Sequence, residues 1–341
     1  MKAERGIVCS APGRASIIGN PTDMYGGSVI SCSVDMRAYA CVTPASGLVL
    51  ETRGEICRIV DRDDLRLQGD LFDVARAILS HMQLPPLKCR VQYGSEIPMQ
   101  SGLSGSTALL VALLQALLTW QGRELNRYRL AERTRSIELN HLNVVCGYQD
   151  AYMCTFGGLN YIDFRGKAFH DGKGAQIFAT VEPLAEDVSE LPFVLGYTGE
   201  QHSSGQVHRP ILERWLEGEQ AVVEGYDRIT EIARVAKTSL LLQDWPTLGD
   251  LMNENHAIQR DLGGSGTSNE QLITAALKAG ALGAKLAGAG SGGTIIALWP
   301  WQETTRLEET LHDAGASGIH RLAIAPGVTR STDVAMRSTR V

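Results

Sequence analysis

Two rhythms of apolar residues alternate along this chain. Short stretches rich in β-branched residues, or alternating apolar with polar positions, occur at Val29–Val34, Ala38–Thr43, Gly47–Glu51, Ile56–Val60 and Leu87–Tyr93, and they predict strands. Leu71–Met82 instead repeats its apolar residues at helical spacing, with Phe72, Ala75, Ile78 and Leu79 on one side. Ser106–Trp120 is apolar nearly all round, which predicts a helix at the centre of a core. Arg127–His141 reads as a polar amphipathic helix, and Gly147–Thr155 as a short helical piece ended by Gly157–Gly158. Leu159–Phe164 reads as a further strand.

Residues 165–190 are polar, contain Gly and are weakly periodic, which predicts a boundary. A strand at Phe193–Tyr197 follows, then helices near 219–243, 246–258 and 269–280, a Gly-rich turn, and a strand at Thr294–Leu298. Trp301–Ala314 and His320–Ile324 supply a last helix and strand. Strands and helices in both halves imply an α+β chain of two lobes, 1–180 and 190–341, and 341 residues suffice for two ordinary cores.

Composition narrows the partners. The net charge is −6 and no dense Lys/Arg tract appears, which argues against a nucleic-acid partner and for a small molecule. Met1–Arg5 leads into a strand-like segment without a secretory apolar region, and the longest apolar stretch, Ala108–Leu118, is too short to span a bilayer. The expectation is a soluble, cytoplasmic protein with no membrane partner. Seven cysteines, none in a C-x-x-C pair, read as reduced thiols; Cys146 lies close to a candidate site segment, where packing is its ordinary role. No His/Cys cluster has zinc-ligand spacing.

The candidate chemistry sits in three Gly-rich segments. Pro98–Ala108 is a Gly/Ser loop that empties into the apolar helix, so its backbone N–H groups and the helix dipole suit an anion such as a nucleotide polyphosphate, although taken alone it reads equally as a tight turn capping a core helix. It is not the common P-loop, because Ser106 is followed by Thr107 and no Lys precedes the hydroxyl. The other two segments are Ala11–Gly27 and Lys285–Gly293. Two carboxylates, Glu138 and Asp150, lie in apolar or Gly-rich surroundings, where burial would demand a cation or a proton, although Glu138 on its residues alone reads as a solvent-exposed helix position.

In order and rough spacing the three segments resemble the motifs of the GHMP kinases. That resemblance implies an N-terminal nucleotide-binding α/β lobe and a C-terminal ferredoxin-like lobe with the substrate between them, using ATP and Mg²⁺. It implies a phosphate cradle of Ser101, Gly102, Leu103, Ser104, Gly105, Ser106 and Thr107, with Ser106 and Glu138 at the metal. Gly105 stands where relatives often carry another serine. Asp150, twelve residues after Glu138, would face the substrate hydroxyl, and Arg14 would lie by the reacting phosphate. Asn20, Asp23 and Tyr25 fall where galactokinases have a sugar-contacting Glu-His-Thr-Asp segment, but Gly19–Asp23 lacks Glu-His, so galactose does not follow. Gly288 and Gly290 would lie against phosphate and substrate, although a tight turn between core strands explains them equally.

A finer resemblance, to the glucuronokinases, rests on Gly19–Tyr25, Gly102–Thr107, Gly147–Asp150, Ser203–His208 and Arg214–Leu216. It implies a sugar-binding loop with Ser203, Ser204 and His208 at the substrate, and glucuronate as acceptor on its anomeric oxygen. Another sugar kinase, for a heptose phosphate or a different uronate, or a sensor that binds ATP and sugar without turnover, stand as alternatives. The sequence does not fix the oligomeric state.

Overall fold

The structure, a computed structural model, describes residues 6–83, 87–98, 100–167, 177–188, 191–200 and 204–331, without the side chains of 204–206. The first lobe opens with β1 (Ile7–Ile18) and β2 (Ser28–Pro44), followed by β3 (Leu48–Thr52), β4 (Glu55–Ile59), α1 (Asp73–Met82) and β5 (Cys89–Ser95). Helices α2 (Gly105–Trp120), α3 (Arg127–Asn140) and α4 (Gln149–Phe156) come next, then β6 (Leu159–Asp163) and β7 (Thr180–Pro183). The second lobe contains β8 (Phe193–Tyr197), α5 (Ser204–Leu216), α6 (Gln220–Leu241), α7 (Trp245–Asp261), α8 (Thr267–Ala279), β9 (Gly283–Leu286), β10 (Thr294–Leu298), α9 (Thr305–Asp313) and β11 (Gly318–Arg321). A last strand, β12 (Thr329–Ser331), returns to pair with β1 at the edge of the first sheet.

The two strands expected at Val29–Val34 and Ala38–Thr43 are one strand of 17 residues. Its polar interruption at Asp35–Arg37 marks a change of neighbour: Ser28–Cys32 pair with β6, whereas Ala38–Pro44 pair with β5. The β1–β2 register also shifts there, between Pro12 and Arg14. The polar residues thus bend and re-pair a strand that they do not end. The first sheet runs β12-β1-β2-β5-β3-β4, with β6 and β7 continuing from β2.

Helix α2 packs across β1 and β2, and Leu110–Leu114 along it are fully buried, as an all-round apolar sequence requires. The second sheet, β11-β8-β10-β9, is antiparallel throughout and has the ferredoxin-like β-α-β-β-α-β order, with α9 as its second connection. The lobes share a core: Ile232, Ala233, Ala236 and Leu240 of α6 pack in one cluster with Ile17 and Ile18 of β1. The stretch read as a sugar-binding loop at 201–209 is helical from Ser204, where α5 begins. Among the described residues no helix is long and apolar enough to cross a membrane.

Candidate active site

The three Gly-rich segments meet at the end of β1, and their backbones touch. Arg14 N–H donates to the Leu103 carbonyl (3.1 Å) and Ser16 N–H to the Ala287 carbonyl (3.0 Å). A Cβ at Gly13 would stand 2.6 Å from the Leu103 oxygen, and one at Gly288 would stand 2.6 Å from the Gly102 oxygen. Backbones this close leave no room for a side chain, which is why glycine occupies both positions. Gly288 sits in the turn between β9 and β10, so the tight-turn reading of that segment and its place at the cavity both hold.

The middle loop is built to meet an anion. Gln100, Gly102 and Ser104 all have positive φ, so the backbone curls before α2 begins at Gly105. Among the described residues the side-chain hydroxyls of Ser101 and Ser104 are buried without a partner, and no acidic residue occupies the first turn of α2. Buried orphan donors beside a helix N-terminus fit a bound phosphate chain, which supplies the missing acceptors. Ser106 is exposed on the cavity wall. Thr107, one position on, turns inward and donates to Glu138 Oε1 at 2.7 Å.

Glu138, projecting from α3, is buried, and burial pushes its carboxyl up to about 7, although the Thr107 hydroxyl pulls the other way. Among the described residues its hydrogen-bond donor is that neutral hydroxyl, with Arg135 and Arg14 acting on it through space, and a carboxylate so placed is a ligand that suits a divalent cation. Asp150 occupies the first turn of α4 and takes Arg14 Nε at 2.8 Å and Nη2 at 2.6 Å on its Oδ1. The same guanidinium donates through Nη1 to the Gly102 carbonyl at 2.5 Å, tying β1 to the anion loop.

Asp23 acts on α4 from outside. Its Oδ2 accepts from the backbone N–H groups of Tyr148 (2.7 Å) and Gln149 (2.9 Å), the start of the helix that carries Asp150. Burial pushes its carboxyl up to about 6, with those N–H groups and Arg14 pulling down. Gly147 is required beside it, since a Cβ there would lie 1.9 Å from Asp23 Oδ2. Cys146 lines the cavity, where burial and the nearby Glu138 raise its thiol well above the usual range and so disfavour the thiolate.

These groups surround a cavity of about 430 Å³. Arg14, Asn20, Asp23, Ser101, Gly102, Ser104–Thr107, Glu138, Asp150, His208 and Gly288 all line it. Leu103 does not, being fully buried with only its carbonyl bonded to Arg14. Tyr25 also turns away: its ring packs on Trp215 of α5 and Tyr226 of α6, with centroids at 5.1 and 4.5 Å. Gly290 is not at the cavity wall and faces the loop before α8, where a Cβ would meet the Gly264 oxygen at 1.8 Å. Ser203 lies outside the described residues, as does the side chain of Ser204.

A second part of the wall has no motif in the sequence: Thr52 of β3, Asp70 and Leu71 just before α1, Val74 of α1, Tyr93 of β5 and Ile97 after it. Ile97 directly precedes the anion loop in the chain, and the fold brings the others beside it.

Comparison with known proteins points to one family. Residues 70–158 match the family described as GHMP kinases N terminal domain, residues 236–316 match GHMP kinases C terminal, and residues 1–44 match the galactokinase galactose-binding signature. The chain is 28% identical to "Glucuronokinase 1" of Arabidopsis thaliana, over 94% of this chain and 93% of that one. It is also 28% identical to a mevalonate kinase of Methanothermobacter thermautotrophicus, over 85% and 89%. Among solved structures, Lactococcus lactis galactokinase complexed with galactose superposes with a TM-score of 0.77 at 18% identity, covering 96% of this chain and 95% of that one.

Proposed function

We propose, since the chain belongs to the GHMP kinases, that this ATP- and Mg²⁺-dependent small-molecule kinase phosphorylates a sugar, D-glucuronate, on its anomeric oxygen, giving glucuronate 1-phosphate and ADP. The observation that carries the phosphotransfer is the Arg14–Asp150 pair, which lies in the same cavity as the anion loop and the buried Glu138.

Two of the three guanidinium nitrogens of Arg14, Nε and Nη2, occupy Oδ1 of Asp150. Oδ2 is therefore the oxygen left to accept the proton of the acceptor hydroxyl. As that proton moves to Asp150, the acceptor oxygen forms a bond to the γ-phosphorus. The bond from γ-phosphorus to the bridging oxygen breaks, and ADP leaves with the electron pair. Arg14 keeps Asp150 oriented and sets positive charge beside the transferring group. The loop Ser101–Thr107 cradles the phosphates through backbone N–H groups and the Ser101 and Ser104 hydroxyls. Ser106 and Glu138 would hold Mg²⁺, which when bound neutralises charge on the phosphate oxygens.

The acceptor assignment rests on likeness over nearly the whole chain to the Arabidopsis glucuronokinase, and on the match of residues 1–44 to a galactose-binding signature. His208, from the segment that resembles glucuronokinases, brings an ionisable imidazole to the cavity wall. A uronate carboxylate needs such a donor when it is buried.

ADP release with a panel of glucuronate, glucose, galactose, mevalonate and a heptose phosphate tests both parts. Glucuronate should show the highest kcat/KM, because donors placed for a carboxylate are left unpaired by a neutral CH₂OH group. Equal kcat/KM for glucose, or turnover confined to mevalonate or the heptose phosphate, overturns the acceptor and leaves the kinase. ATP binding without ADP release on any sugar would favour a sensor.

A further inference from the structure

Lys285, in β9 and the first residue of the third Gly-rich segment, has no solvent exposure. An ammonium so placed ordinarily pairs with a carboxylate. Here none is within ion-pair distance among the described residues, and Nζ instead donates to two neutral oxygens, Asn20 Oδ1 and the Leu286 carbonyl, each at 2.5 Å. Burial, with the nearby Arg14 charge, draws its pKa down to about 7. An apolar side chain would fill this position without that desolvation, so packing alone does not account for a lysine.

The bond to Asn20 gives it a task. A side-chain amide can present its oxygen or its nitrogen in either of two flipped orientations, and its neighbours decide which. With two oxygens at 2.5 Å to donate to, Lys285 Nζ claims Oδ1 whether it carries two or three hydrogens. The Gly288 carbonyl only accepts, and it takes Asn20 Nδ2 at 3.0 Å. The Asn20 backbone is fixed separately by α7: Asn255 Oδ1 accepts from Gly19 N–H (2.8 Å), and Asn255 Nδ2 donates to the Asn20 carbonyl (3.4 Å). With both ends of the amide assigned, one N–H and one oxygen lone pair remain on a residue that lines the cavity.

We propose that Lys285 is a positioning residue for acceptor recognition, locking the Asn20 amide so that its remaining N–H and lone pair meet hydroxyls of the acceptor sugar. This rests on the reading of the cavity as a sugar-kinase site. Lys285 acts through Asn20 and touches neither substrate.

The test is a double-mutant cycle of Lys285→Met and Asn20→Ala in the ADP-release assay, run on whichever sugar of the panel is turned over fastest. Lys285→Met should raise the acceptor KM about tenfold, the scale of one well-placed hydrogen bond, and leave the KM for ATP within about twofold. On the Asn20→Ala background the same change should add almost nothing, because the amide it orients is gone. Additive effects, or equal rises in the KM of both substrates, overturn the proposal while leaving the kinase reading intact. If Lys285→Met does not fold, Lys285→Gln keeps a donor on a shorter arm, and the same cycle is read with it. Failure of glucuronate alone corrects the acceptor and leaves this test in force, whereas no turnover with any sugar overturns both readings.

Discussion

Arg14 and Asp150 stand 136 positions apart in the chain, yet two guanidinium nitrogens close on a single carboxylate oxygen, at 2.8 and 2.6 Å. That asymmetry leaves the second oxygen of Asp150 for another proton. Asp150→Asn should therefore lower kcat by about 10²–10⁴, the range for loss of a general base, with nucleotide binding retained. Single-turnover kinetics together with ADP titration check this. A kcat near wild type would leave Asp150 with orientation only.

Glu138 makes stability and metal use depend on pH in opposite senses. Its carboxyl is raised to about 7 in the fold, so from the ordinary carboxylate range up to that value the native state binds a proton that the unfolded chain has released. Its contribution to stability thus falls as pH rises through that window, and is level above it. Mg²⁺ needs the ionised form, so wild-type Mg²⁺ affinity should climb from pH 5.5 to 7 and then flatten. Glu138→Gln keeps an oxygen for the Thr107 hydroxyl and sheds the buried charge. Its melting temperature should gain on wild type as pH rises from 5 to 7.5, while turnover at limiting Mg²⁺ collapses. Thermal scans and Mg²⁺ titrations across that pH range decide it.

Asp23 serves the helix that carries Asp150. Asp23→Ala leaves the N–H groups of Tyr148 and Gln149 without their acceptor, and should cost about 1–2 kcal/mol, the scale of a lost helix cap. Asp23→Asn retains an acceptor oxygen and should recover most of that stability in chemical denaturation. If the carboxylate also meets the acceptor, the Asn variant will keep a raised acceptor KM after its stability has returned.

Gly288→Ala forces a Cβ to within 2.6 Å of the Gly102 carbonyl, so one of two backbone segments has to move. The Gly102 carbonyl is also a partner of Arg14. The expected result is a loss of about 1–3 kcal/mol, typical of overpacking, with a larger proportional fall in kcat. A variant with wild-type kcat would show that the contact between these loops is not needed for turnover.

Much of the architecture is written locally. The all-round apolar sequence of Ser106–Trp120 could only be a central helix, and the glycines of three separate segments announced tight turns, although not that the turns would touch. Phe193–Tyr197 and Thr294–Leu298 have the same bounds in the fold as in the pattern of β-forming residues. The strands left unread, β7, β9 and β12, have only 4, 4 and 3 residues. Segments so short show too little periodicity to be seen, and are strands because a neighbour pairs with them.

The site depends on relations that no local pattern records. Ser106 and Thr107 are adjacent and chemically alike, and the phase of α2 against α3 decides that Thr107 bonds Glu138 while Ser106 faces the cavity. Tyr25 lies beside site residues in sequence, but two aromatic rings from α5 and α6 offer it more contact than the cavity does. Lys285 only opens a Gly-rich segment in the sequence, and it is the fold that buries β9 and makes Asn20 a partner of its ammonium. By itself the sequence determined which segments turn, which helix is central and which residues could carry charge to phosphate. Tertiary structure alone decided which of them meet, because strand register and helix phase are fixed by packing between residues far apart in the chain.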